Sequence, residues 1–216
     1  MALIKHKSES VSQLHEDGLK SDLRIVRTRQ RIDAAFVELL HRRSYGSIRV
    51  GDITRKAGVG RATFYGHYFS KDDLLDSQFR RIVAPMLAIR QHARCPLDAT
   101  GFFAHVQGAP RIYGALMGPQ GGSAPRILRE CIERRVRESL ADLTSTNKAT
   151  KPATTTQEAI FHETVLPRFV ASALLTVVEC WLESGASETP QRLQEIFSKL
   201  VGEGLPAGNL GLDQAT

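Results

Sequence analysis

Between residues 28 and 43, "TRQRIDAAFVELLHRR", the apolar side chains Ile32, Ala35, Phe36, Leu39 and Leu40 recur at three- and four-residue steps. That spacing predicts one apolar stripe on a helix, with Thr28 placed to cap it. "SYGS" (44–47) breaks the pattern. A short helix is predicted over 50–56, with Val50 and Ile53 inward. "AGV" (57–59) then turns the chain at Gly58, a residue that takes a positive φ at little steric cost. A second short helix runs from 60 to 67. Phe64 and Tyr68 lie four apart and face the core with Val59, while Arg61, Ala62, Tyr65 and Gly66 share the opposite face. Two short helices joined by a glycine turn make a helix-turn-helix. Ser70 is the next cap. Asp72 and Asp73 occupy the first turn of a following helix, where the helix dipole favours negative charge.

Downstream the pattern stays helical. One helix is predicted from Lys71 to Arg94, stopping before Pro96, with shorter ones over 98–106 and 109–117. "MGPQGGSAP" (117–125) reads as a loop, and its glycines follow no strand, as a phosphate cradle would require. The segment 125–143 is amphipathic, with Arg126, Arg129, Arg134, Arg135 and Arg137 interleaved with Glu130, Glu133 and Glu138, a pattern that suits a solvated face. A polar linker (144–156) leads to a long apolar helix over 157–184, kinked at Pro167. A last helix covers 190–202. No strand and no internal repeat stands out, so the fold class is all-α. The domains are a polar flexible arm (1–21), a helix-turn-helix domain (22–71), a helical regulatory and dimerisation domain (72–204) and a flexible tail (205–216).

Charge sharpens this division. Of 216 residues, 29 are Lys or Arg and 23 Asp or Glu. Residues 22–71 hold 11 of the cations against Asp22, Asp33, Glu38 and Asp52, a balance of +7; 1–21 balance to zero and 72–216 to −1. A basic field concentrated in fifty residues suits a polyanion partner. No apolar run reads as a membrane span, and the N-terminus lacks the apolar stretch of a signal peptide. Cys95, Cys131 and Cys180 are too few and too scattered for a disulfide framework or a metal site. His162-Glu163 has no second histidine four residues on, so no metal and no cofactor is expected. The histidines form no nucleophile–base–orienter set, and no enzyme is expected.

The segments "RTRQRIDAAFVELL" and "YGSIRVGDITRKAGVGRATFYGHYFSKDDLL" resemble the N-terminal domain of the tetracycline-repressor (TetR) family of bacterial transcription regulators. The match runs from about Asp22 to Leu75. Helix phase, glycine turn, the Thr-Phe-Tyr triplet, His67 and the Ser-Lys-acidic cap all fall in register. The sequence departs from the family pattern at Ser44, Arg49 and Gly60. The resemblance implies a ligand-responsive regulator of the bacterial cytoplasm and nucleoid, usually a repressor, that binds a palindromic operator as a homodimer. It also implies phosphate-contacting roles for Tyr65, His67 and Lys71.

Residue chemistry fills in the rest. Arg61 can donate two hydrogen bonds to a guanine edge, with a phosphate contact as the alternative, and Ala62 can meet a thymine methyl. Thr63 either reaches DNA or is structural. Arg49 and Arg29 are further phosphate candidates. The partners expected are double-stranded DNA, a second copy of the chain and a small-molecule effector of unknown identity, with no membrane. Phe102, Phe103, His105, Tyr113, Met117, Phe161, His162 and Phe169 are candidates to line an effector pocket, although such a stripe also suits a plain core. Val170, Leu174, Val177, Trp181, Ile196, Phe197 and Leu200 are candidates for the dimer seam, with Trp181 and Phe197 as anchors that equally suit the core of a single chain. The competing readings are an adaptor that docks to proteins without binding DNA, and a helical enzyme.

Overall fold

The computed structural model describes residues 23–89, 95, 97–146 and 160–202. The predicted arm, tail and most of the 144–156 linker lie outside the described residues. The first helix, α1, spans residues 23–40 and buries Ile32, Ala35, Phe36 and Leu40, the stripe that its periodicity predicts. A tight 3-10 turn, Tyr45–Ser47, leads to α2 (Val50–Ala57), α3 (Arg61–Tyr65) and α4 (Lys71–Ile82). Gly58 ends α2 at φ +62°, and a Cβ there would come within 2.8 Å of the Arg31 guanidinium. The positive φ calls for glycine there, and a larger residue would also displace the Arg31 guanidinium. Arg31 Nη2 donates to the carbonyls of Ala57 (2.7 Å) and Gly58 (2.9 Å), serving the unpaired C-terminal end of α2. At the start of α4, Ser70 Oγ accepts from Asp73 N, and Asp73 Oδ2 accepts from Phe69 N, a reciprocal box.

The predicted helix 71–94 is shorter than expected. It ends at Ile82, because Pro85 lacks an N–H to continue the ladder. A 3-10 turn, Ala84–Met86, follows. Strand β1 (Ala88–Ile89) then pairs antiparallel with β2 (Leu97–Asp98), a two-residue pairing that periodicity does not reveal. Beyond it come α5 (Thr100–Gly108), α6 (Pro110–Met117), α7 (Ala124–Thr146), α8 (Leu166–Glu183) and α9 (Pro190–Gly202). Among the described residues the architecture is all-α apart from that pair.

A π-helical turn, Phe161–Val165, enters α8. Pro167 cannot donate to the Glu163 carbonyl, and Arg137 Nε of α7 donates to it instead at 3.0 Å. The arginines of α7 are thus not simply solvated. Arg134 pairs with Asp76 of α4, and Arg135 Nε donates to Leu87 O. The segment Glu163–Glu183 is long and apolar enough to cross a membrane by length and composition, contrary to the expectation from apolar runs. In the fold its inner face, with Val170, Ala171, Leu174, Leu175, Val178 and Trp181, is buried, and α8 packs against α7 and α9.

Candidate nucleic-acid interface

The helix α3 is anchored by one side chain and open elsewhere. Phe64 is fully buried, whereas Arg61, Ala62, Thr63, Tyr65 and Gly66 are exposed. Tyr65 is 54% exposed and stands edge-on to Phe64 with centroids 5.5 Å apart. The Arg61 guanidinium lies over the first turn of α2, 3.4 Å from where a Cβ on Gly51 would stand. Arg49 is exposed at the N-cap of α2. Its backbone N–H donates to Asp52 Oδ2 at 3.0 Å. That bond, with Arg43 and Arg55 nearby, holds the Asp52 carboxyl below the usual carboxylate range. His67 is half-buried, its ring 6.5 Å from that of Tyr68.

Two expected phosphate ligands are placed otherwise. Lys71 Nζ donates to the carbonyls of Tyr45 and Ile48, each at 2.8 Å, and lies 3.9 Å from the centroid of the Tyr45 ring. Burial lowers its pKa. Two of the three ammonium protons are therefore used inside the protein, locking the start of α4 onto the 45–48 turn. Arg29 donates from Nε to Tyr68 OH (3.0 Å) and from Nη2 to Ser77 Oγ (2.8 Å). Tyr68 OH in turn donates to Asp33 Oδ1 (2.7 Å), and Asp33 pairs with Arg81 (2.8 Å). Burial and the Asp33 bond push the Tyr68 phenol up to about 12. These partners lie 23 to 48 residues apart in the chain, so no local pattern announces them.

The same turn meets the C-terminal half. Gly46 N donates to Gln120 O at 2.9 Å, and a Cβ on Gly46 would stand 2.6 Å from that oxygen. Ser44 Oγ donates to Gln120 Oε1 at 3.0 Å. The Tyr45 hydroxyl donates to Asp72 Oδ1, beside Arg126 of α7.

Among the described residues, the candidate effector residues divide between core and surface. Phe102, Phe103 and Tyr113 are core residues at 0–2% exposure. Tyr113 meets Phe102 and His105 edge-on, each at 5.8 Å, and burial lowers the His105 pKa. Met117 is half-buried. Phe161 and Phe169 lie on the outside of the α8 segment, about half exposed. The His162 side chain lies outside the described residues. Among the candidate seam residues, Val170, Leu174, Trp181 and Phe197 are buried within the single chain. A side chain already enclosed there is not available to a partner. Val177 and Ile196 are half-buried and Leu200 is exposed. The outward apolar stripe is instead Phe161, Val165 and Phe169, one turn apart.

Comparison with known proteins fits this geometry. The family model described as "Bacterial regulatory proteins, tetR family" matches residues 32–77. An uncharacterized HTH-type transcriptional regulator, YxbF, of Bacillus subtilis (strain 168) is 42% identical over 67 residues. That match covers 31% of this chain and 18% of that relative's length. The crystal structure of a TetR transcriptional regulator from Streptococcus agalactiae 2603V superposes with a TM-score of 0.58 at 22% identity. It covers 86% of this chain and 99% of that one, a likeness of fold. With the glycine turn, the open face of α3 and the capped start of α4 in register, residues 32–77 form a DNA-binding-type domain of the tetR family of bacterial regulatory proteins.

Proposed function

We propose that this regulator binds DNA sequence-specifically through residues 22–71, acts as a repressor on a palindromic operator as a homodimer, and is released by a small-molecule effector held in residues 72–204. The observation that carries the reading is α3 itself. It is fixed by Phe64 and presents Arg61, Ala62 and Tyr65 to solvent within the segment that holds the whole positive excess. Arg61 reads a guanine edge, and Tyr65, His67 and Arg49 hold phosphates and set register. The stripe Phe161, Val165 and Phe169 supports an isologous seam between two copies, which would set two α3 helices one DNA turn apart. An effector acting near His105 and Met117 would reach the DNA-binding half through α4 and the Gln120–Gly46 bond. Such a protein works in the bacterial cytoplasm, on the nucleoid.

Selection of duplexes from a random pool tests this directly. A palindromic site should emerge, bound more weakly as salt rises with a log–log slope of about −0.9 for each phosphate neutralised. R61A should relax the preference at one position per half-site by about 1–3 kcal/mol. A pool that shows no enrichment and no salt-dependent binding would favour an adaptor that docks to proteins.

A further inference from the structure

A helix lying in the major groove meets two sugar-phosphate strands, one along each flank. On one flank of α3, Arg61 lies beside the first turn of α2, where Arg49 is exposed at the cap. Lys71, bonded to the Tyr45 and Ile48 carbonyls, lies on this same side, next to Arg49, and leaves the opposite flank to other residues. Thr63 points the other way round α3 and, with the Gly58–Gly60 backbone, floors an open groove of about 720 Å³. Its wall is α1, through Leu23, Arg24, Arg27, Thr28 and Arg31, and no Asp or Glu lines it.

Arg24, Arg27 and Arg31 recur at steps of three and four, so they share one face of α1. Arg31 is engaged with Ala57 O and Gly58 O. Arg24 and Arg27 are exposed, and neither guanidinium bonds to a described carboxylate. Like charges one helical turn apart repel, and a shared anion relieves that repulsion. The guanidinium fork matches phosphate oxygens in pairs.

We infer that Arg24 and Arg27 clamp a DNA backbone phosphate on the flank of α3 away from Arg49, which makes the first two turns of α1 part of the nucleic-acid site. The inference rests on the proposed function. This clamp carries no base information. It adds affinity on any duplex and so extends the bound DNA beyond the base pairs that α3 reads.

The test uses the full chain with two probes, the pool-selected duplex and a random-sequence duplex of equal length. For R24A/R27A, the salt slope should become shallower on both probes by about 0.9 for each phosphate no longer neutralised. The affinity ratio between the probes should stay constant, and thermal unfolding should match that of the wild type. R24K/R27K keeps the charges but not the fork. It should restore the slope and bind several-fold more weakly than the wild type. If the double variant does not fold, R24A and R27A alone should each flatten the slope on both probes by a smaller step. An unchanged slope in folded variants, or a weakening confined to the selected duplex, overturns the clamp and leaves the proposed function standing. Wild-type protein with no salt-dependent binding to either probe overturns both.

Discussion

The two halves of this chain hold themselves together in different ways. In the N-terminal half, polar side chains cross between elements and end on hydrogen-bond or ion-pair partners: Lys71 on two carbonyls, Arg31 on the end of α2, and Arg29–Tyr68–Asp33–Arg81 across α1, the turn after α3, and α4. In the C-terminal half the long helices meet chiefly through apolar side chains; buried side-chain atoms without a hydrogen-bond partner occur in both halves, at Asp33 Oδ2 and Gln78 Nε2 in the first and at Arg129 Nε, Arg134 Nη1 and Trp181 Nε1 in the second. A small domain buries too little apolar surface to fix itself by packing alone, and directional bonds supply the remainder. They also fix the turns on either side of α3, which Phe64 anchors. Apolar packing is non-directional, which suits the C-terminal half to the rearrangement that the proposed effector response requires.

The largest expected effect comes from the outward face of the C-terminal half. Phe169 is 52% exposed on one chain, so Phe169→Glu should leave the fold intact but place a charge in the proposed seam between copies. Sedimentation should show folded monomers, and affinity for a two-half-site duplex should fall about a hundredfold with loss of bivalency. Val170, one residue on, is fully enclosed; Val170→Glu should unfold the chain instead. A stable dimer of Phe169→Glu would move the seam elsewhere. The next effect concerns the polar staples. Lys71→Met keeps the stem but strands the carbonyls of Tyr45 and Ile48, which should cost about 2–4 kcal/mol in urea unfolding. The salt slope of DNA binding should not move. An unchanged midpoint with a shallower slope would restore Lys71 to the phosphate ligands.

What the sequence makes legible follows from range. The α1 stripe, the glycine turn, the inward Phe64 and the Ser70–Asp73 box depend on neighbours within a few residues, and all can be read from spacing. The early end of α4 is also written in the chain, in Pro85, but Pro96 is the more obvious stop and sets the expected boundary too far along. The engagement of Lys71 cannot be read, because its partners are main-chain carbonyls 23 and 26 residues away. Nor can the outward stripe of α8. Its residues are apolar on both faces, so periodicity identifies a helix without saying which face the chain keeps for itself. Arg24 and Arg27 do leave a trace, a basic repeat at steps of three and four with Arg31, but its meaning depends on the groove floor supplied by residues 58–63.

The smallest expected effect isolates one staple by pH. The Tyr68 phenol has an ordinary pKa of 10.0 and is pushed up to about 12, first by burial and then by its bond to Asp33. Between those values the unfolded chain gives up this proton while the folded chain keeps it. The folded-state pKa is the higher one, so the contribution is fully present below pH 10 and is lost as pH rises toward 12. The urea midpoint should therefore fall over that window. Tyr45 and Tyr113 are shifted in the same direction, chiefly by burial, so they contribute to the same fall. Tyr68→Phe removes only the Tyr68 share: the variant should be less stable at about pH 8 but lose stability less steeply between about pH 10 and 12. Tyr113→Phe, in the C-terminal half, should also flatten the fall but leave the Arg29 and Asp33 bonds untouched. Parallel curves for wild type and Tyr68→Phe would mean that the phenol ionises alike in both states, and that the Arg29–Tyr68–Asp33 staple holds α1 to the turn after α3 and to α4 no more firmly than water does.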